Sequence, residues 1–242
     1  MPGEFPRASL NRQKEGDAKV RIEYVGHACL RCIADSGEML IMDPPAEKYG
    51  YILKNRQADY ITTSHEHEDH NAVYLFPNAT IIPQVSAQMQ AGPFSIAEMD
   101  SFHDNEQGAL RGENRIYQIK ADGVTLVHMG DIGHPLSKEF QKFAEGADVL
   151  AIPVGGCFTV EPEQVVKMIA QLSPRYILPI HYKTAQCTLK QLAPLETFLA
   201  IWRGDIEKKN GISLELMPVQ KSQSAQSMVV LLDYETREKD ND

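Results

Sequence analysis

Apolar residues along the chain fall in short blocks bounded by glycine, proline or acidic residues, a pattern that favours strands over long helices. Residues 20–33 (VRIEYVGHACLRCI) and 38–42 (EMLIM) read as strands with Asp35-Ser36-Gly37 as the turn between them. Asp43-Pro44-Pro45 ends the second, because proline cannot donate to a sheet ladder. A short helix is expected within 46–57, followed by the apolar strand ADYITT (58–63). ATII (79–82), IYQIK (116–120) and VTLVHM (124–129) read as further strands, the last two flanking the hairpin signal Ala121-Asp122-Gly123. ADVLAIPV (147–154) is a buried strand, RYILPI (175–180) another, and ISLEL (212–216) and SMVVLLD (227–233) close the set.

Helical spacing is sparser. Short helices are expected over 84–91 (QVSAQMQA) and 137–145. In 162–172, Pro162 suits a first helical turn, and Val165, Ile169 and Leu172 share one face. Leu195, Phe198, Leu199 and Trp202 form a helical stripe expected to stop at Gly204. Strands alternating with helices, with hairpins mixed in, point to an α/β architecture of two sheets with helices outside, not one doubly wound sheet. With no internal repeat or linker, the chain reads as one domain over 20–236, a polar arm over 1–19 and a solvated tail over 237–242.

Composition narrows the class. The 242 residues are 43% hydrophobic and 24% charged, ordinary for a soluble globular protein whose core needs no disulfide staples. The first 20 residues lack the apolar centre of a signal peptide, and no apolar run approaches the ~18 residues of a membrane span. A cytoplasmic protein without a membrane partner is expected; self-association is left open. The net charge of −9, with no basic patch, argues against nucleic acid as a partner. It leaves room for a small-molecule substrate, an anionic one included, because bound metal reverses the sign locally.

The chemistry concentrates at strand ends. ADYITT runs into SHEHEDH (64–70), VTLVHM into Gly130-Asp131, and RYILPI into His181. Ligands of α/β folds gather at the carboxyl ends of strands, so the three ends can converge. His65 and His67, two apart, point the same way in an extended segment, while Asp69 and His70 lie where the chain must turn. Imidazole and carboxylate suit zinc, manganese or iron. Shuffling a chain of this composition yields HxHxDH only about once in two thousand times, so the motif's false-positive risk is low.

With these residues in view, the sequence resembles the metallo-β-lactamase superfamily, whose hallmark is HxHxDH after a buried strand. His65, His67, Asp69 and His70 match it one for one, and a lone His103, Gly130-Asp131 and His181 follow in order. The segments GHACL (26–30), MDP (42–44), HMGD (128–131), VGGCFTVEPEQ (154–164) and LPIHYKT (178–184) resemble the branch of ascorbate-6-phosphate lactonase-like and metal-dependent hydrolases. The resemblance implies a four-layer αββα sandwich with two divalent ions at one edge of the sheets, zinc first, manganese or iron as alternatives. It implies His65, His67 and His103 on one ion, Asp69, His70 and His181 on the second, and Asp131 bridging both. Two such ions activate a water and polarise the electrophile, and Asp69 is the expected catalytic carboxylate, orienting the nucleophile and passing on its proton.

Four further residues are expected to orient ligands or touch substrate: His27 in GHACL, Asp43 at the end of its strand, His128, and His134 in the loop after Asp131. His103 is preferred to His128 as the third histidine, because in a regular strand His128 and a residue three along face opposite sides. Cys29 and Cys32 form a CxxC whose side chains face opposite sides of a strand, which argues against a thiolate site. Cys157 has a pocket-lining reading beside plain packing, and Tyr182 is expected to face away from His181. The expected activity is hydrolysis of a small ester, lactone or phosphodiester by a metal-bridged hydroxide. Alternatives are a nuclease or phosphodiesterase acting on nucleic acid, and a non-catalytic metal-binding module that retains the fold.

Overall fold

The computed structural model describes residues 18–84, 88–218 and 226–235. Residues 1–17 of the expected arm and the whole expected tail lie outside them. Among the described residues fourteen strands form two sheets, with three α-helices. The first sheet contains β1 (Val20–Gly26), β2 (Cys29–Ile33), β3 (Met39–Met42), β4 (Tyr60–Thr62), β5 (Thr80–Ile81) and β13 (Ser213–Leu216), in the order β13-β1-β2-β3-β4-β5. The second contains β6 (Met89–Ala91), β7 (Phe94–Phe102), β8 (Glu113–Ala121), β9 (Val124–His128), β10 (Val149–Pro153), β11 (Tyr176–Ile180), β12 (Asp205–Lys208) and β14 (Met228–Leu231). Its order is β12-β14-β11-β10-β9-β8-β7-β6.

Strand alternation builds the layers. Ile22, Leu30, Leu40 and Met42 belong to the same buried cluster as Ile96, Ile119 and Leu126, so the sheets share a core. Cys29, Ile41 and Ile61 turn the other way, into a second cluster covered by Ala46, Leu53, Leu75 and Phe76. Cys29 and Cys32 therefore sit on opposite faces of β2, and both are free. The second sheet is covered by α1 (Lys138–Phe143), α2 (Pro162–Leu172) and α3 (Leu195–Ile201). Helix α2 buries Val165, Met168, Ile169 and Leu172 along one stripe, as its sequence spacing requires. On the first sheet the cover is thinner, two single 3-10 turns (Glu47–Tyr49 and Val73–Leu75) with their connecting loops.

Several expected elements differ. Only Glu47–Tyr49 is helical within 46–57. No helix spans 84–91. Residues 85–87 lie outside the described residues, and Met89–Ala91 is a strand that pairs with β7 across the Gly92-Pro93 turn. Long strand β7 and edge strand β12 carried too many polar residues to stand out. Helix α3 ends at Ile201, before Gly204, because Trp202 is extended and donates from Nε1 to the Asp205 carbonyl. Gly204 lets that indole lie close: a Cβ there would meet the ring at 2.5 Å.

Parallel strands β9, β10 and β11 all end at one edge of the sandwich, as do β3 and β4 of the facing sheet. That edge receives the histidines.

Candidate metal centre

Each residue arrives on its own strand end. His27 sits in the tight connection between β1 and β2, Asp43 follows β3, and His65 to His70 follow β4. From the other sheet come His103 after β7, Asp131 after β9 and His181 after β11. Their candidate ligand atoms form three groups in which all members lie within 4.8 Å of one another. These are His65, His67 and His103; His27, Asp69, His70 and His181; and His65, His70 and Asp131. Asp131 stands between the first two: its Oδ2 is 3.1 Å from His103 Nε2, 3.0 Å from His181 Nε2 and 3.3 Å from His70 Nε2.

Hydrogen bonds around the cluster decide which nitrogen of each ring faces inward. The Ser64 hydroxyl donates to Asp43 Oδ2 at 2.5 Å, so it accepts from His65 Nδ1 at 2.9 Å. Asp43 Oδ2 also accepts from His70 Nδ1 at 2.8 Å, and Asp43 Oδ1 takes the Ser64 amide at 2.7 Å. One buried carboxylate thus orients two rings with their Nε2 atoms inward. His103 Nδ1 donates to the Phe158 carbonyl at 2.9 Å, which leaves its Nε2 inward as well. Asn114 steadies Asp131 by accepting its backbone N–H at 2.8 Å while donating to the Met129 carbonyl.

Electrostatics follows burial. Desolvation, with His70 close by, pushes His65 down to about 3, and desolvation with His181 close by pushes His27 down to about 4. Both stay neutral at ordinary pH. Burial opposes charge on Asp131, but His181 and His70 beside it hold the carboxyl well below its usual range. Burial also opposes ionisation of Asp69, yet the hydrogen bond from His27 and the nearby His70 keep it below the carboxylate norm. Against their own desolvation, Asp131 holds both His70 and His103 up, with Asp43 adding to the effect on His70, so these two rings carry a proton that a bound cation displaces.

The donor set fits divalent metal. His65 Nε2, His70 Nε2, Asp131 Oδ1, His27 Nδ1 and His181 Nδ1 are buried with no hydrogen-bond partner. Each such orphan costs about 1–3 kcal/mol in a protein interior, a cost that a cation relieves at the inward-turned Nε2 atoms of His65 and His70, whereas His27 and His181 turn Nε2 to the cluster and Nδ1 away from it. Neutral imidazoles and ionised carboxylates are the ligands zinc, manganese and iron accept.

Not every expected residue joins the cluster. His27 does so directly: its Nε2 bonds Asp69 Oδ2 at 3.1 Å and its ring lies 4.3 Å from that of His181. His128 is buried with both nitrogens engaged, Nε2 with the Ala28 carbonyl at 2.8 Å and Nδ1 with the Gly130 amide at 3.2 Å, so it has no atom left for substrate. His134 also stands apart: its Nε2 accepts the Phe102 amide at 3.2 Å, clamping the strand that delivers His103. Tyr182 turns into the core beside Tyr24. Cys157 is exposed and lines a cavity with His103 and Arg111. Ser64 and Asn114 carried no expectation. Ser64 lies inside the quoted SHEHEDH stretch, a position that hinted at it; Asn114 gave no signal, because strand pairing alone brings it to Asp131.

A cavity of about 490 Å³ opens over the cluster, walled by Tyr49, His67, Asp69, Asp131, Phe158 and His181 among others. Two face-packed sheets with a histidine–aspartate cluster at one edge define the metallo-β-lactamase fold class. The chain belongs to the beta-lactamase superfamily domain family, whose model matches residues 21–181. It is similar to a metallo-beta-lactamase superfamily protein from Thermotoga maritima, with 26% identity and a TM-score of 0.67, covering 88% of this chain and 100% of that one. It is 26% identical to a metal-dependent hydrolase from Thermococcus kodakarensis, over 68% of this chain and 85% of the relative. It shares the fold alone with a diiron beta-hydroxylase, CmlA from Streptomyces venezuelae, at 15% identity and a TM-score of 0.51, covering 67% of this chain and 44% of that one. No helix among the described residues is long and apolar enough to cross a membrane.

Proposed function

We propose that the protein is a metal-dependent hydrolase with a dinuclear site, cleaving a small ester, lactone or phosphodiester with water as nucleophile. The observation that carries this reading is Asp131 Oδ2, set 3.0–3.3 Å from imidazole nitrogens of both groups while buried ring nitrogens around it lack partners. His65, His67 and His103 would hold one ion, and Asp69, His70 and His181 the second, with Asp131 shared between them. His27 joins the second group, as a ligand or through Asp69. When bound, such a pair supplies Lewis acidity and a nucleophile at neutral pH. Similarity to proteins named metal-dependent hydrolases supports the same class.

The chain's own residues supply the rest. Asp69 is ionised and lines the cavity, with Oδ2 fixed by His27, so its carboxylate can take a proton from the attacking water and return it to the leaving oxygen. Asp43, through Ser64 and His70, keeps two rings in the required tautomer. Among the described residues no GxSxG elbow offers a side-chain nucleophile. The test is a screen of lactone, phosphodiester and thioester substrates on protein loaded with zinc or manganese, run in isotopically labelled water. Label in the product at first turnover is expected; a trapped covalent adduct on a side chain would overturn the mechanism.

A further inference from the structure

We infer that Arg111 binds an anionic group of the substrate, a carboxylate or phosphate oxyanion lying a few bonds from the bond that is cleaved. This rests on the hydrolase reading and adds the substrate's charge to it. Arg111 lines three cavities around the cluster, and among the described residues it is the only lysine or arginine on the walls of two of them, of about 440 and 490 Å³. In a chain of net charge −9, a lone cation at the mouth of the site is a selective feature. Among the described residues it makes no ion pair; its Nη2 has only a 3.3 Å contact with the Cys157 carbonyl. Two acidic neighbours on the wall of the larger cavity are engaged elsewhere, Glu66 with Asn71 Nδ2 at 2.6 Å and Glu68 with Lys48.

The guanidinium is also placed. Its Cζ lies 5.9 Å from the centre of the Phe158 ring, at the outer reach of a cation–π contact, and the Phe158 carbonyl is the group that orients His103. Asp104, next to His103, accepts four backbone amides, those of Glu106, Gly108, Leu110 and Arg111, at 2.7–2.9 Å. The loop that carries Arg111 is therefore tied to the strand end that delivers His103. A planar fork on an exposed side chain, its backbone tied beside the reacting centre, suits an oxyanion with two coplanar oxygens. Leu110, Tyr49 and Leu189 on the same wall would accommodate the apolar stem that joins the two ends of such a substrate.

The experiment compares para-nitrophenyl pentanoate with mono-para-nitrophenyl glutarate on the zinc-loaded full chain. The two share ester and leaving group and differ in a terminal methyl against a terminal carboxylate. The wild type should favour the glutarate ester in kcat/KM. Arg111→Ala should lower that preference roughly ten- to a hundredfold, through KM, the effect of losing one charge-assisted pair. Arg111→Lys should recover part of it. No preference in the wild type, or equal loss on both esters in the variant, would overturn the assignment. Calorimetric titration with glutarate reads the pocket without turnover: weaker binding by Arg111→Ala supports it and equal binding refutes it. If neither ester is cleaved, ester hydrolysis fails as a reading while the titration still decides the role of Arg111.

Discussion

The two ends of the sandwich solve the same problem, reversing the chain, in different ways. At the end away from the cluster, β8 turns into β9 through Asp122-Gly123 and β2 into β3 through Asp35-Ser36-Gly37, with glycine taking much of the left-handed backbone. The two turns brace each other, the Asp35 amide donating to Asp122 Oδ2 at 2.8 Å. Of the seven non-glycine residues with positive φ among the described residues, five lie at the cluster end, His27 at 57°, Asp43 at 48°, Gln107 at 56°, Cys157 at 61° and His181 at 51°, and two lie away from it, Asp122 at 46° and Ser173 at 47°. Each such residue costs about 1–3 kcal/mol, and such strain persists only where the surroundings over-determine it. Three of the five are side chains of the cluster or its carboxylate support. The far end is built for folding, and the near end trades stability for the placement of side chains.

The largest expected effect comes from breaking the near end. His103→Ala should lose one equivalent of metal and at least a thousandfold in activity, since one of three ligands of the proposed first ion is gone. His128→Ala, at a buried ring bonded to the Ala28 carbonyl and the Gly130 amide, should keep both metals. It should cost about 2–4 kcal/mol of stability, because two buried backbone groups lose their partner. Metal content and urea unfolding measured on both variants separate these outcomes, and the reverse pattern would exchange the two histidines' roles.

A smaller effect is expected one shell out. Asp43→Asn keeps the shape but weakens the acceptor that fixes His65 and His70, so metal affinity should fall about ten- to a hundredfold. Competition with a chelator measures it; unchanged affinity would mean that the tautomers are set by something else. The smallest effects sharpen the contrast in strain. Gly123→Ala, where φ is 76° and a Cβ would meet Pro218 at 2.9 Å, should destabilise by about 1–2 kcal/mol. Cys157→Gly, at an exposed residue with φ of 61°, should stabilise by about 1 kcal/mol. Thermal unfolding of the pair reads both signs.

The same contrast explains what the sequence made legible. The hairpin at Asp122-Gly123 and the stripe of α2 are local, and residue type and spacing alone specify them. The segment 64–70 is local too, so its four expected ligands were visible as one motif. His103, Asp131 and His181 come singly from separate strands; the family pattern pointed to them, and the fold shows how they converge. Asn114 and Arg111 were invisible, because strand pairing places Asn114 beside Asp131 and the Asp104 loop places Arg111 at the cavity. Strand β7 was missed since only one of its faces is apolar, broken by Glu98 and Asp100. The 84–91 helix failed because Gly92-Pro93 makes a turn that lets Met89 and Ala91 pair with a strand not recognised as one.

The proposed dinuclear site is tested most directly by elemental analysis of protein stripped with chelator, reloaded with zinc or manganese and freed of excess, beside Asp131→Ala treated identically. Two equivalents per chain are expected in the wild type and loss from both positions in the variant, because one carboxylate oxygen lies against imidazoles of both groups. At most one equivalent in the wild type, or two retained by Asp131→Ala, would contradict it.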